Sequence, residues 1–227
     1  MAKLNYKKVC KMNVIFCKIT SMKYYKGVTF YDQPSRGGSY IDENGTGGEV
    51  TNFYPTKDAD GEEVCFGFVE PKHNHGVTNT IHLENITGNM ADKEAEYVDD
   101  VLVIWCATLD THHPAVVGWY KNSTFYRTIQ EVMIDDYYYP YNALAKADDC
   151  VLLPRNERDK GIWSIPVSRY DGYGFGQSMI YYPQSDFDKQ KVKKIIESIE
   201  SYAGNNWLRV FNEDQEPKPE KKYFWQK

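Results

Sequence analysis

Trp119, Tyr120, Lys121 and Asn122 stand in a row behind Val116, Val117 and Gly118. Two flat rings, a cation and an amide in succession offer stacking faces and hydrogen-bonding tips, the chemistry that holds a planar heterocycle such as a nucleobase. Val116 and Val117 predict a buried strand. Gly118 inside that strand predicts a bulge or a close backbone approach. A second reading of the same residues is a core strand whose aromatics pack under a loop.

Other segments carry compatible groups. Gly38, Ser39, Tyr40 and Asn44 lie in a glycine-rich stretch, residues 32–48, with five of the chain's 16 glycines. Tyr126 and Arg127 follow the aromatic block, and Gly176 precedes Gln177 and Ser178. Glycine lets a ligand approach the backbone. Asn44, Asn122 and Gln177 can read the donor and acceptor edge of a base. Trp105 lies in an apolar run and suits a core position or a pocket wall equally.

Catalytic and metal-binding patterns are not found. His73 with His75, and His112 with His113, sit in polar segments without cysteine partners at zinc spacing. No nucleophile elbow, P-loop or convincing nuclease signature appears, and the paired carboxylates Asp99-Asp100, Asp135-Asp136 and Asp148-Asp149 read as solvated faces. The chain is therefore read as non-enzymatic, with no catalytic residue, metal or cofactor.

The 227 residues carry a net charge of −5, unevenly spread. Seven lysines and no acid occupy the first 31 residues, leaving 20 basic against 32 acidic residues in the rest. A global field that gathers polyanions is absent, so any nucleic acid would bind through a local patch. The five cysteines form no C-x-x-C pair, and three of them (Cys17, Cys65, Cys106) lie in apolar strand-like runs. No secretory leader or membrane-length apolar run is visible, which points to a cytoplasmic chain with no membrane partner.

The elements that must position these groups read as follows. A strand is expected over residues 13–19, a short one over 50–54, and others over 64–69, 79–83 and 101–108. The last is apolar throughout, so both its faces should be covered. Residues 115–120 should pair with it across 109–114. A turn at Lys121-Asn122 leads to a strand over 123–127, and 143–153 is a further candidate. A short helix is expected near 92–96. A long one is expected over 185–202, with Ser185 and Asp188 as a capping box and Phe187, Val192, Ile195, Ile196, Ile199 and Tyr202 on one face. Gly204 should stop it. The expected organisation is a flexible basic extension (1–12), one domain (13–204) and a linker-like tail (205–227). The fold class is α+β, a curled, mostly antiparallel β-barrel with flanking helices and one long C-terminal helix.

Five blocks carry a family resemblance: Arg36-Gly37-Gly38-Ser39-Tyr40 with Asn44, Phe66-Gly67-Phe68-Val69-Glu70-Pro71, the run from Val116 to Arg127, the run from Ala145 to Pro154, and Gly176-Gln177-Ser178-Met179-Ile180-Tyr181-Tyr182. In this order they resemble the N-terminal recognition module of bacterial restriction and defence proteins, similar to the PUA-like superfamily with its EVE, YTH and ASCH domains. The resemblance implies a small barrel, a DNA or RNA partner whose modified base is flipped into an aromatic pocket, and an effector nuclease in the same or a neighbouring protein. On that expectation Trp119, Tyr120 and Trp105 stack on the base. Gly38, Ser39, Asn44, Asn122, Gln177 and Ser178 contact the base edge or the phosphate, Tyr40 and Tyr126 complete the ligand-binding set, and Lys121, Arg127 and the N-terminal lysines neutralise phosphates. The alternatives are a sensor of a small nucleotide and a protein-interaction adaptor, the last predicting aromatics on the surface instead of in a cleft.

Overall fold

The computed structural model describes residues 13–71, 73–74, 77–78, 80–109, 114–134 and 137–210. Of residues 39, 40, 73, 74, 77 and 78 only the backbone is described. The expected extension 1–12, the tail from 211 onward, and His75, His112 and His113 lie outside the described residues.

Strand β1 (Asn13–Ile19) runs parallel to β6 (Tyr97–Thr108), with Asn13 beside Val101 and Ile19 beside Ala107. All other pairings are antiparallel. β6 pairs with β7 (Pro114–Ile134), β7 with β8 (Tyr137–Lys146), β8 with β3 (Glu63–Gly67) and β3 with β2 (Thr56–Lys57). β9 (Cys150–Leu152) adds to β7, and β10 (Ile180–Tyr181) adds to the outer edge of β1. The pairing path runs from β10 to β2 without returning on itself, so the sheet is large, mostly antiparallel and open, and the expected closed barrel is not observed. β4 (His73–Asn74) and β5 (Val77–Thr78) form a separate two-residue pair.

Side-chain alternation explains why the central strands bury both faces. Ile15, Cys17 and Ile19 of β1 join Val101, Val103, Trp105 and Ala107 of β6 in one core. Val14 and Phe16 join Leu102, Ile104 and Cys106 in the other. Helix α5 (Asp186–Glu200) covers the second core with Val192, Ile195, Ile196 and Ile199. The first core is covered by Met22, Tyr25, Val50, Phe53, and Leu83 and Ile86 of α2 (Leu83–Thr87). The continuous apolar run of β6 thus reflects two layers.

Several expected elements are redrawn. The long loop 32–48 contains helix α1 (Ser39–Asn44), closed by Gly45 at φ 66°. Residues 50–54 are not a strand: a 3-10 helix spans Gly48–Thr51. The helix near 92–96 is a 3-10 turn, Met90–Glu94, capped by Asn89. Lys121-Asn122 is no turn, because β7 runs through it. The capping box of α5 forms as expected, with Ser185 Oγ accepting from Asp188 N (3.0 Å). Phe187, however, is 53% exposed: its ring meets Tyr173 edge-on instead of entering the core. Nor does α5 close the fold. Asn206 side-chain atoms bond Leu152 N and Cys150 O of β9, Trp207 stacks on Tyr24, and Leu208 is buried, so residues 206–208 pack on the sheet beyond the expected boundary at 204. Helices α3 (Arg155–Arg158) and α4 (Ser168–Asp171) are single turns.

Candidate functional site

The aromatic block of β7 does not wall a cleft. Trp105 and Tyr120 are fully buried, and Trp119 is 1% exposed. Trp119 stacks on Trp163 (centroids 5.6 Å) and meets Tyr202 edge-on in the helix-covered core. Tyr120 lies in the opposite core, edge-on to Trp105 and Phe53, and its hydroxyl donates to the Asn52 carbonyl. The reason is elementary: successive residues of a strand face opposite sides of a sheet, so Trp119 and Tyr120 cannot line one pocket. Their faces are set by a bulge. Trp105 pairs with Gly118 and Cys106 with Val116, leaving Val117 as the extra residue. Gly118 is obligatory there, because a Cβ would meet the Val151 carbonyl and sit 2.5 Å from Phe53 Cζ. The predicted bulge and close approach both occur, in the service of packing.

The neighbouring candidates brace the sheet. Lys121 Nζ pairs with Glu200 of α5 at 3.4 Å. Asn122 has φ 50° and marks a second bulge, where Val103 pairs with Tyr120 and Val101 with Ser123; its amide donates to Asp149 (3.1 Å). Tyr126 packs edge-on against Tyr141. Arg127 donates to the carbonyls of Ala95 (2.6 Å), Asp92 (2.6 Å) and Ile81 (3.2 Å), tying together the segments that precede β6.

The remaining candidates converge elsewhere, at the C-terminal end of β1. Ser21 and Ser35 exchange backbone bonds (2.8 and 3.0 Å), and Thr20 Oγ1 donates to the Ser35 carbonyl (2.8 Å). These bonds seat the Arg36-Gly37-Gly38 loop against Thr20. A Cβ on Gly37 would lie 2.9 Å from Thr20 Oγ1, so glycine permits the close approach. Arg36 and Gly38 both take left-handed backbone (φ 59° and 85°), and such conformations in non-glycine residues concentrate where structure serves a ligand. Ser39 and Tyr40 open α1, their side chains lying outside the described part; Asn44 is exposed at its end. From the other direction Lys18 N donates to Met179 O (2.7 Å), one step beyond the paired residues Phe16 with Tyr181 and Cys17 with Ile180. Ser178 Oγ accepts from Ile180 N (3.0 Å), while Gln177 is exposed. Ser35 and Met179 thus bring two loops that are far apart in sequence to one short segment, Lys18 to Ser21.

A carboxylate that sequence reasoning passed over lies in this cluster. Glu49 Oε1 accepts from Thr20 N (3.4 Å), and Gly47 has no side chain to displace Oε2. Burial pushes the Glu49 carboxyl above its ordinary range against its backbone bonds, and Glu70 adds to the rise. The loop itself carries Phe30 (78% exposed) and Tyr31 (53%), edge to face at 5.0 Å, and half-buried Lys23 over the Tyr24 ring. An aromatic pair next to a Gly/Pro loop was the available sequence signal; Glu49 gave none.

The loop is anchored by a polar core. Asp32 is buried and accepts from Lys23 N (2.6 Å) and Tyr24 N (2.7 Å). Arg158, also buried, donates to Leu153 O (2.9 Å), Met22 O (2.7 Å) and Lys23 O (2.7 Å). Burial raises the Asp32 carboxyl, while the amide bonds and the Arg158 guanidinium pull it down. Because Asp32 is spent on the loop's backbone and Lys26 on the carbonyls of Trp207 and Val210, the accessible charge of residues 20–38 comes from Lys23 and Arg36.

Among the described residues no cluster of His, Cys, Asp or Glu could hold a metal, and no helix is long and apolar enough to cross a membrane. No family model, curated protein or solved structure matches the chain.

Proposed function

We propose that this chain is a nucleic-acid recognition module that holds a base at the end of β1, not between the β7 aromatics. One observation carries the reading. Two glycine-containing loops far apart in sequence are bonded to the same segment, Lys18 to Ser21, around a half-buried carboxylate. Glu49 would take N–H donors from a base edge, as carboxylates take the exocyclic amine of cytosine. Gln177 offers a second edge-reading amide. Phe30 and Tyr31 would stack neighbouring bases, at about 1–3 kcal/mol each. Lys18 and Lys23 would meet phosphates, giving local rather than global charge attraction. Selectivity for a modified base, and a role beside an effector nuclease in restriction or antiphage defence, rest on the family resemblance.

The test is fluorescence anisotropy with plain and base-modified oligonucleotides, single- and double-stranded, at stated salt. Glu49→Gln, Gln177→Ala and the double change Phe30→Ala/Tyr31→Ala should each weaken binding about tenfold or more with an unchanged melting temperature. Wild-type affinity in all three would overturn the assignment.

A further inference from the structure

Beyond Arg127 the hairpin of β7 and β8 leaves the sheet. β6 pairing ends at Tyr97 with Tyr126. The last backbone bonds on that side are Arg127 N to Glu96 O (2.8 Å) and Ile81 N to Arg127 O (3.0 Å). β7 and β8 nevertheless stay paired, from Gln130 with Tyr141 to Ile134 with Tyr137. On the other side of this ribbon, β3 pairing ends at Gly67 with Ala143. There the Asn142 amide substitutes for a strand, donating to Val69 O (2.7 Å) and accepting from Val69 N (3.1 Å).

The arm is apolar without being buried. Met133 is 61% exposed, Tyr138 57% and Ile129 37%, and Val132, Ile134, Tyr137 and Tyr139 are only half-buried. A free-standing ribbon of two strands gains little stability by itself, and a contiguous exposed apolar surface marks an interaction site. The two edges differ. β8 carries Pro140, which has no N–H to offer and packs against Gly48. β7 has an N–H at every residue from Thr128 to Ile134, and among the described residues no strand pairs with its outer edge there. An edge that is open among the described residues, and unblunted, is a template for strand addition.

Charge selects the partner. The described residues of the arm, 128–134 and 137–142, carry the carboxylate of Glu131 and no Lys, Arg or His. Nucleic acid is repelled by such a surface. A second copy pairing through the same edge would bring identical carboxylates together, and like charges on facing strands oppose pairing. We propose that the outer edge of β7, residues 128–134, receives an extended, cationic, partly apolar segment of a partner protein as an added antiparallel strand. Its backbone would bond β7, its apolar side chains would cover Ile129, Met133 and Tyr138, and its lysines or arginines would meet Glu131. This surface is distinct from the proposed base site, and its test uses no nucleic acid.

The probe is a fluorescent eight-residue peptide of alternating Lys and Val, titrated with the full chain at low salt. Binding should be saturable, and residues 128–134 should gain protection from amide hydrogen exchange. Met133→Asp and Ile129→Asp, both on the exposed surface, should weaken it tenfold or more while the melting temperature holds. The same peptide N-methylated at alternate residues should not bind. Equal binding of the N-methylated peptide or of a control peptide of alternating Glu and Val, protection elsewhere in the chain, or no binding would overturn the proposal. So would sedimentation showing that residues 128–134 pair two copies of the chain.

Discussion

Arg158 gives the sharpest stability prediction. Its guanidinium donates to three carbonyls on two separate segments, Leu153 after β9 and Met22 and Lys23 at the base of the site loop. Methionine would keep most of the stem and remove all three donors. A hydrogen bond to a charged group is worth about 1.5–3 kcal/mol, and acceptors left buried keep their desolvation cost. Against this stands the relief of no longer burying a cation, several kcal/mol in itself. Breaking such an arrangement from one side has a net cost of about 3–5 kcal/mol, or a melting point lower by about 6–20 °C at this chain length. Arg158→Lys should recover only part, because one ammonium cannot serve three carbonyls in a fork. Asp32 supplies an independent readout. Its carboxyl is already held above its ordinary value by burial, with Arg158 restraining the rise. A carboxyl raised in the folded state holds a proton that the unfolded chain has released. Stability therefore falls as pH rises from the unfolded to the folded value. Without Arg158 that window widens upward. Chemical denaturation of wild type and Arg158→Met between pH 4 and 8 should show the variant losing stability more steeply as pH rises. A variant within about 1 kcal/mol of wild type, with a parallel pH profile, would show that Arg158 does not anchor the loop.

Three further outcomes follow from the packing. Gly118→Ala should cost about 3 kcal/mol, because the added methyl meets the Val151 carbonyl and the Phe53 ring; a denaturant midpoint equal to wild type would contradict the bulge geometry. Trp119→Phe should change stability by no more than about 2 kcal/mol, since the lost ring contacts are offset by removing an indole N–H that has no hydrogen-bond partner among the described residues. Its oligonucleotide affinity should equal wild type, which a stacking role for Trp119 would not allow. Lys26, with Nζ donating to the carbonyls of Trp207 and Val210, has its ammonium lowered to about 8 by burial. The unfolded chain then binds the extra proton above that value, so stability should rise with pH from about 8 towards 10.4. Lys26→Met should abolish the rise, and a folded-state titration of Lys26 near the free-lysine value would contradict it.

The central strands and the capped helix α5 were legible because their signals are local. The alternation in Asn13–Ile19, the unbroken apolar run in β6, and Ser185 with Asp188 each depend on neighbours in the chain. Gly118 announced a bulge correctly, yet what the bulge did to Trp119 and Tyr120 depended on both sheet faces being covered, which α5 and Phe53 decide from far away in sequence. Phe187 kept helical spacing with Val192 and Ile195 but stands a turn before the covered stretch of the helix. The packing of residues just past 204 was not legible because Asn206 is held by β9, not by any local pattern. Glycines 37 and 38 and Gln177 were picked out as separate blocks. The Ser21–Ser35 bridge brings Gly37 to Thr20, the β1–β10 pairing brings Met179 to Lys18, and Glu49 enters only through its bond to Thr20.

One comparison of binding and stability across two variants separates a site at the end of β1 from one at the β7 aromatics. Oligonucleotide affinity and melting temperature are measured together for wild type, Glu49→Gln and Trp119→Phe. A base held at the end of β1 predicts that Glu49→Gln loses affinity about tenfold or more at unchanged melting temperature, while Trp119→Phe keeps its affinity. Lost affinity in Trp119→Phe beside an unaffected Glu49→Gln would contradict it.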